Sequence, residues 1–167
     1  MTDHSTRLRR LVQAAMFAAI ATALSYLSVP VGPTRVFPFQ ATVNAIAGVL
    51  LGPWYAAGAA LVTACLRNSL HTGTVFAFPG SVFGALTVGY GYRLWKNDAA
   101  AFFEPIGTAL IGATVAWWLF QGFVGSHRTL VWFVGAFAIP SVTGCVLGYL
   151  VLRALRRVRA VDAWRTA

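Results

Sequence analysis

Polar side chains gather at a few points in a chain that is otherwise poor in them. Gln40 and Asn44 are four residues apart and share a face if their segment is helical. Arg67, Asn68 and His71 stack the same way at the end of the next apolar run, with Thr74 and Ser81 just beyond, across Pro79-Gly80. Arg35 precedes them all. Guanidinium, amide, imidazole and hydroxyl groups in apolar surroundings can hold a small polar ligand by hydrogen bonds, and lipid cannot satisfy them. The competing assignment makes the arginines snorkelling groups and the Asn and Ser residues helix caps. A second constellation is aromatic. Trp117 and Trp118 lie one turn from Gln121, and an aromatic wall with one amide suits a flat heterocycle; packing against lipid is the alternative.

Catalysis has little to build on. His71 or His127 could act as acid or base, but no nucleophile–base pattern accompanies either. The acids are Asp3, Asp98, Glu104 and Asp162. Two of them lie in the tails, Asp98 falls in a loop, and Glu104 opens a helix, where a carboxylate favours the N-terminus. No carboxylate is therefore expected in mid-span. Neither a lysine-bearing phosphate loop nor a metal-ligand cluster is present, and Cys65 and Cys145 sit singly in apolar runs as inert thiols. These observations predict no cofactor, no metal and no enzyme.

The elements that must position these groups are membrane helices. Of 167 residues, 58% are hydrophobic and only 10% charged, against roughly 25% charged in a soluble domain. Intervals free of charge run over 11–34, 36–66, 68–92, 105–127 and 129–152, and the second is broken by Gly52-Pro53-Trp54. Gly-Pro ends one helix and opens another. Six helices follow, at about 10–28, 39–51, 53–70, 81–96, 103–124 and 129–153, with a basic tail over 154–167, in a single all-α integral membrane domain. Both tails are basic, so both termini are expected in the cytoplasm, which requires an even number of spans. Of the basic residues only Arg35, Arg67 and Arg128 then fall outside. The net charge of +9 is thus a membrane-flank signature rather than a nucleic-acid one. Trp54, Trp95 and Trp132 fall near interfaces as belt residues. Ala15, Ala19 and Ala23 place small residues on one face of the first helix, where another helix can approach closely.

Several segments resemble the ThiW family of substrate-binding S components of energy-coupling factor (ECF) vitamin transporters. They are Val31-Gly32-Pro33-Thr34-Arg35-Val36-Phe37-Pro38-Phe39-Gln40, Asn44, Leu50-Leu51-Gly52-Pro53-Trp54-Tyr55-Ala56, Leu66-Arg67-Asn68, Gly73-Thr74 and Ala77-Phe78-Pro79-Gly80-Ser81. Beyond residue 92 the likeness thins to Glu104 with Gly107-Thr108, Gly112-Ala113 and Pro140-Ser141. The chain departs from the usual family pattern with Ala41 in place of His, Arg35 in place of Lys, and His71 in place of a small residue. The resemblance implies a multi-pass subunit of the cytoplasmic membrane with an S-component-like bundle. It implies capture of hydroxyethylthiazole, the thiazole precursor of thiamine, for ATP-driven uptake with a transmembrane T component and two cytoplasmic ATPases. Other thiamine-related ligands are the alternative: phosphorylated thiazole, the pyrimidine precursor or thiamine itself. Outside transport, a membrane assembly protein remains. On this resemblance Arg35 and Phe37 belong to an external gate. Gln40, Asn44, Arg67, Asn68 and Ser81 supply polar contacts, with His71, Thr74 and Gln121 near them. Phe78 and Trp117 or Trp118 stack on the ring, and Ala15, Ala19 and Ala23 face the T component.

Overall fold

The computed structural model describes residues 3–27, 29–31, 34–124 and 129–157. Six helical spans form one bundle. They begin with α1 (Asp3–Leu24), α2 (Pro38–Leu51), α3 (Pro53–Ser69) and α4 (Ala77–Trp95). The fifth span is composite: a 3-10 turn over Asp98–Phe103, a π-helical stretch over Ile106–Gly112, then α5 (Ala113–Val124). The bundle closes with α6 (Leu130–Arg157). Two segments, Asp98–Leu119 and Leu130–Arg157, are long and apolar enough to cross a membrane by themselves; α2 is apolar but has only 14 residues.

Some boundaries differ from the sequence expectation. The first helix starts at Asp3 and stops at Leu24, because Ser25 and Thr22 close its end with a side-chain bond of 2.6 Å. The fifth span opens at Asp98, where Asn97 accepts from the Ala99 amide as an N-cap. Asp98 is therefore not a loop residue. It is buried and forms a bidentate pair with Arg156 near the end of α6, with Nη2 to Oδ1 at 2.6 Å. That pair fastens the end of the bundle that carries the basic tails. The first connection also holds a small hairpin, β1 (Val29–Val31) against β2 (Thr34–Val36), antiparallel with Val29 opposite Val36. Val and Thr on either side of Gly-Pro favour this local pairing over helix.

Punctuation residues set the turns. Pro38 opens α2 and Pro53 opens α3, each at a position that lacks an intrahelical donor anyway. Gly52 between them has φ +83, a left-handed value that glycine adopts without cost. After α3, His71 takes φ +56, and the amides of Thr72 and Gly73 both return to the Arg67 carbonyl at 2.9 and 3.0 Å. A left-handed residue after a helix favours glycine or asparagine, so His71 takes that conformation at a cost.

Helix α2 is the central element, buried over Gln40–Val49 and at Leu51, and it packs against α6, α4, α1 and α3. Small residues let its neighbours approach. On α6, a Cβ at Gly144 would strike Ala41 and the Pro38 carbonyl, and one at Gly148 would strike Ala45. Between α4 and the fifth span the fit is tighter still, with Gly107 against the backbone carbonyl of Phe83. Gly107→Ala should therefore overpack this contact and cost about 1–3 kcal/mol. A thermal melt of the purified protein in detergent checks this, and a melting temperature equal to wild type would mean that the two elements can part freely.

Candidate functional site

The polar residues of α2, α3 and α4 converge at the end of the bundle away from the basic tails. They line a chamber of about 100 Å³, together with residues of the fifth span and α6. Of the residues picked from sequence, Phe37, Gln40, Asn44, Arg67, Thr74 and Ser81 line it. Gln40 and Asn44 project from one face of α2, as their spacing requires. Arg67 ends α3 and points inward. It is 1% exposed, and its Nε and both Nη atoms are buried without a hydrogen-bond partner. The Phe37 ring lies 3.9 Å from the guanidinium carbon. A cation over an aromatic face gains from the ring quadrupole but fills none of its donors. The amide nitrogen of Gln40 is a further buried donor without a partner.

Across the same chamber stands Glu104, with no exposed surface. Thr108 Oγ1 lies 2.6 Å from one carboxyl oxygen, and Ser141 of α6 donates to the other. This corrects the expectation that Glu104 merely opens a helix and that no carboxylate lies inside a span. The fifth span starts five residues earlier than expected, at 3-10 pitch, so Glu104 falls inside it and turns inward. Gly84 makes room, because a Cβ there would collide with both Thr108 and Glu104. The π-helical stretch that carries Thr108 follows directly, and such stretches cluster at functional sites.

Aromatic groups close the chamber: Phe76, Trp132 and Phe137, besides Phe37. Trp132 was expected in the interfacial belt. It is instead half-buried and packs edge-on against Phe133 with ring centroids 5.2 Å apart. Pro140 cannot supply the backbone donor that the Ala136 carbonyl would otherwise take, and both residues line the chamber beside Ser141.

Other sequence-picked residues lie apart from this chamber. Asn68 donates to the Ala64 carbonyl at 3.1 Å and the Thr74 carbonyl at 3.4 Å, which ties down the turn after α3. His71 is exposed in that turn, and Phe78 is half-buried outside the lining. Trp117 belongs to an adjoining apolar cluster with Ala113, Ala116 and Phe133, and its indole nitrogen is buried without a partner. Trp118 and Gln121 are exposed. Arg35 lies opposite Pro30 in the hairpin, and only its backbone is described. His127 and Arg128 lie outside the described residues. Lining residues that sequence reasoning left out of the site include Glu104, Thr108, Ser141, Trp132, Phe76 and Phe137. Glu104 and Thr108 are four apart, and a lone carboxylate with a hydroxyl on its own helix face was the available signal.

An end-opening, donor-rich chamber in a six-helix membrane bundle defines a small-molecule binding subunit. The fold agrees with a solved structure titled "Crystal structure at 2.1 A of the S-component for biotin from an ECF-type ABC transporter", with TM-score 0.63, 19% identity and 99% of each chain covered. The chain belongs to the ThiW family, described as thiamine-precursor transporter protein, whose profile matches residues 11–158. It is accordingly a membrane transport protein and not an enzyme. A comparison with individual curated proteins gives no match.

Ser141→Ala removes one of the two hydroxyl groups that meet the buried carboxyl of Glu104. Leaving a buried acceptor short costs about 1–3 kcal/mol, so thermal unfolding of this variant should shift down by several degrees. Coincident melts would show that the hydroxyl contributes nothing net.

Proposed function

We propose that this subunit captures hydroxyethylthiazole from outside the cell. It then passes the ligand inward with a transmembrane T component and two cytoplasmic ATPases that supply the energy. The observation that carries this reading is the set of unpartnered donors of Arg67 and Gln40 in a chamber walled by aromatic rings. Buried donors without acceptors cost free energy that a ligand acceptor would return. The size supports one ring rather than two. A chamber of about 100 Å³ is well below the ~300–1,000 Å³ of sites for drug-sized ligands, and thiamine carries both a pyrimidine and a thiazolium ring.

In this reading Phe37, Trp132 and Phe137 sandwich the thiazole, and Arg67, Gln40, Asn44 and Ser81 offer polar contacts. Thr74 sits at the mouth, while Asn68 and His71 shape the turn that presents Arg67. Trp117 and Phe78 support the wall from behind. The face of α1 that carries Ala15, Ala19 and Ala23 is exposed and available to the T component, while Ala14, Ala18 and Ala21 face the core.

The test is calorimetric titration of the purified protein in nanodiscs with hydroxyethylthiazole, with the pyrimidine precursor and thiamine as controls. Selective binding of the thiazole is the expected result; selective binding of either control instead would remove the substrate assignment. Arg67→Met should weaken thiazole binding at least ~10-fold through the lost hydrogen bond. The same change deletes an unpartnered buried charge, so the ligand-free variant should melt no lower than wild type. Unchanged affinity would take Arg67 out of the site.

A further inference from the structure

The chamber holds two side chains of opposite formal charge that do not pair with each other. An ion pair is formed instead by Arg156 and Asp98, at the other end of the bundle. Arg67 is donor-only, and all its donors are unpartnered. Glu104 is held in place by Ser141 and Thr108 from two different elements, with the Asn44 amide also beside it, and these three neighbours leave one of the carboxylate's about four lone-pair sites open. The Asn44 side-chain nitrogen already donates to the Ser81 carbonyl at 3.2 Å.

Hydrogen-bond chemistry then fixes which end of the ligand goes where. A thiazole nitrogen only accepts, so it can meet Arg67 or Gln40 and gains nothing at a carboxylate. The hydroxyl of the ethyl arm is the ligand's one donor, and a carboxyl oxygen is the acceptor in this chamber best placed to take it. We propose that Glu104 is a specificity-determining residue that accepts the hydroxyl hydrogen of the bound thiazole alcohol while Arg67 donates to the ring nitrogen. The site thereby selects the free alcohol against its phosphate ester. Esterification removes the only donor and brings anionic oxygens toward a buried carboxyl. This inference rests on the thiazole assignment above and assigns the pose and the selectivity within it.

The decisive experiment needs no variant. Calorimetry on the wild-type protein in nanodiscs compares three probes: hydroxyethylthiazole, the same ring with an ethyl arm in place of hydroxyethyl, and the phosphate monoester of the alcohol. The ethyl compound should bind at least ~10-fold more weakly, because the site's acceptor is then left unmet, and the ester should bind more weakly still. An ethyl compound equal to the alcohol, or an ester that binds as tightly as the alcohol, would overturn the role of Glu104. If none of the three binds while the pyrimidine precursor or thiamine does, the thiazole assignment itself fails, which is a different outcome. Glu104→Gln removes the formal charge at nearly constant shape, and in that variant the gap between ester and alcohol should narrow. A gap of undiminished size in a folded Glu104→Gln protein would place the discrimination elsewhere.

Discussion

A guanidinium buried without a hydrogen-bond partner is the constraint on which the outer half of this protein turns. In water Arg67 would lose nothing, but inside an apolar bundle its donors must find acceptors or remain a standing cost of several kcal/mol. The fold meets that cost only in part. The Phe37 ring stacks on the cation, and a carboxyl group stands in the same chamber without reaching it. An arginine held this way is preorganised. Its planar fork is already fixed and desolvated, so a ligand acceptor meets donors that need no rearrangement.

Close helix approach makes that arrangement possible. Glu104 and Thr108 reach the chamber because α4 presents Gly84 where any side chain would block them, Gly80 leaves room for the Phe137 ring, and Gly107 lets the fifth span press on α4 in return. The two ends of the bundle contrast. At the basic end Asp98 and Arg156 satisfy each other, with the Tyr92 hydroxyl 3.4 Å from the same guanidinium. At the other end an arginine and a glutamate are kept apart. One charge pair closes the structure, and the other leaves room for a guest.

Much of the fold was legible in the sequence because membrane insertion leaves coarse marks. Apolar runs give the spans, and Gly52-Pro53 gives the tight turn between α2 and α3. Gln40, Asn44, Arg67 and Ser81 stood out as candidates because polar groups in apolar runs need a reason, and they line one chamber. The aromatic walls were harder. Trp132 looks like a belt residue by position, and only the way α6 packs into the bundle turns it toward the chamber. Trp118 and Gln121 lie near Trp117 along the helix but face outward, since the 3-10 and π-helical turns before α5 set the rotation of everything after them. Helical periodicity read from sequence assumes a regular pitch, and here the pitch changes twice before α5.

By itself, the sequence determined a helical membrane protein with its polar residues at one end. Charge placement and apolar run length are one-dimensional properties that the bilayer reads directly. Its motifs also carried the likeness to thiamine-precursor transporters. Only the tertiary structure decided that Glu104 and Arg67 line one chamber. That meeting depends on residues far apart in the chain, on glycines that let two helices touch, and on a non-standard turn of the fifth span. None of these is encoded in local propensity, because each is a relation between elements rather than a property of one.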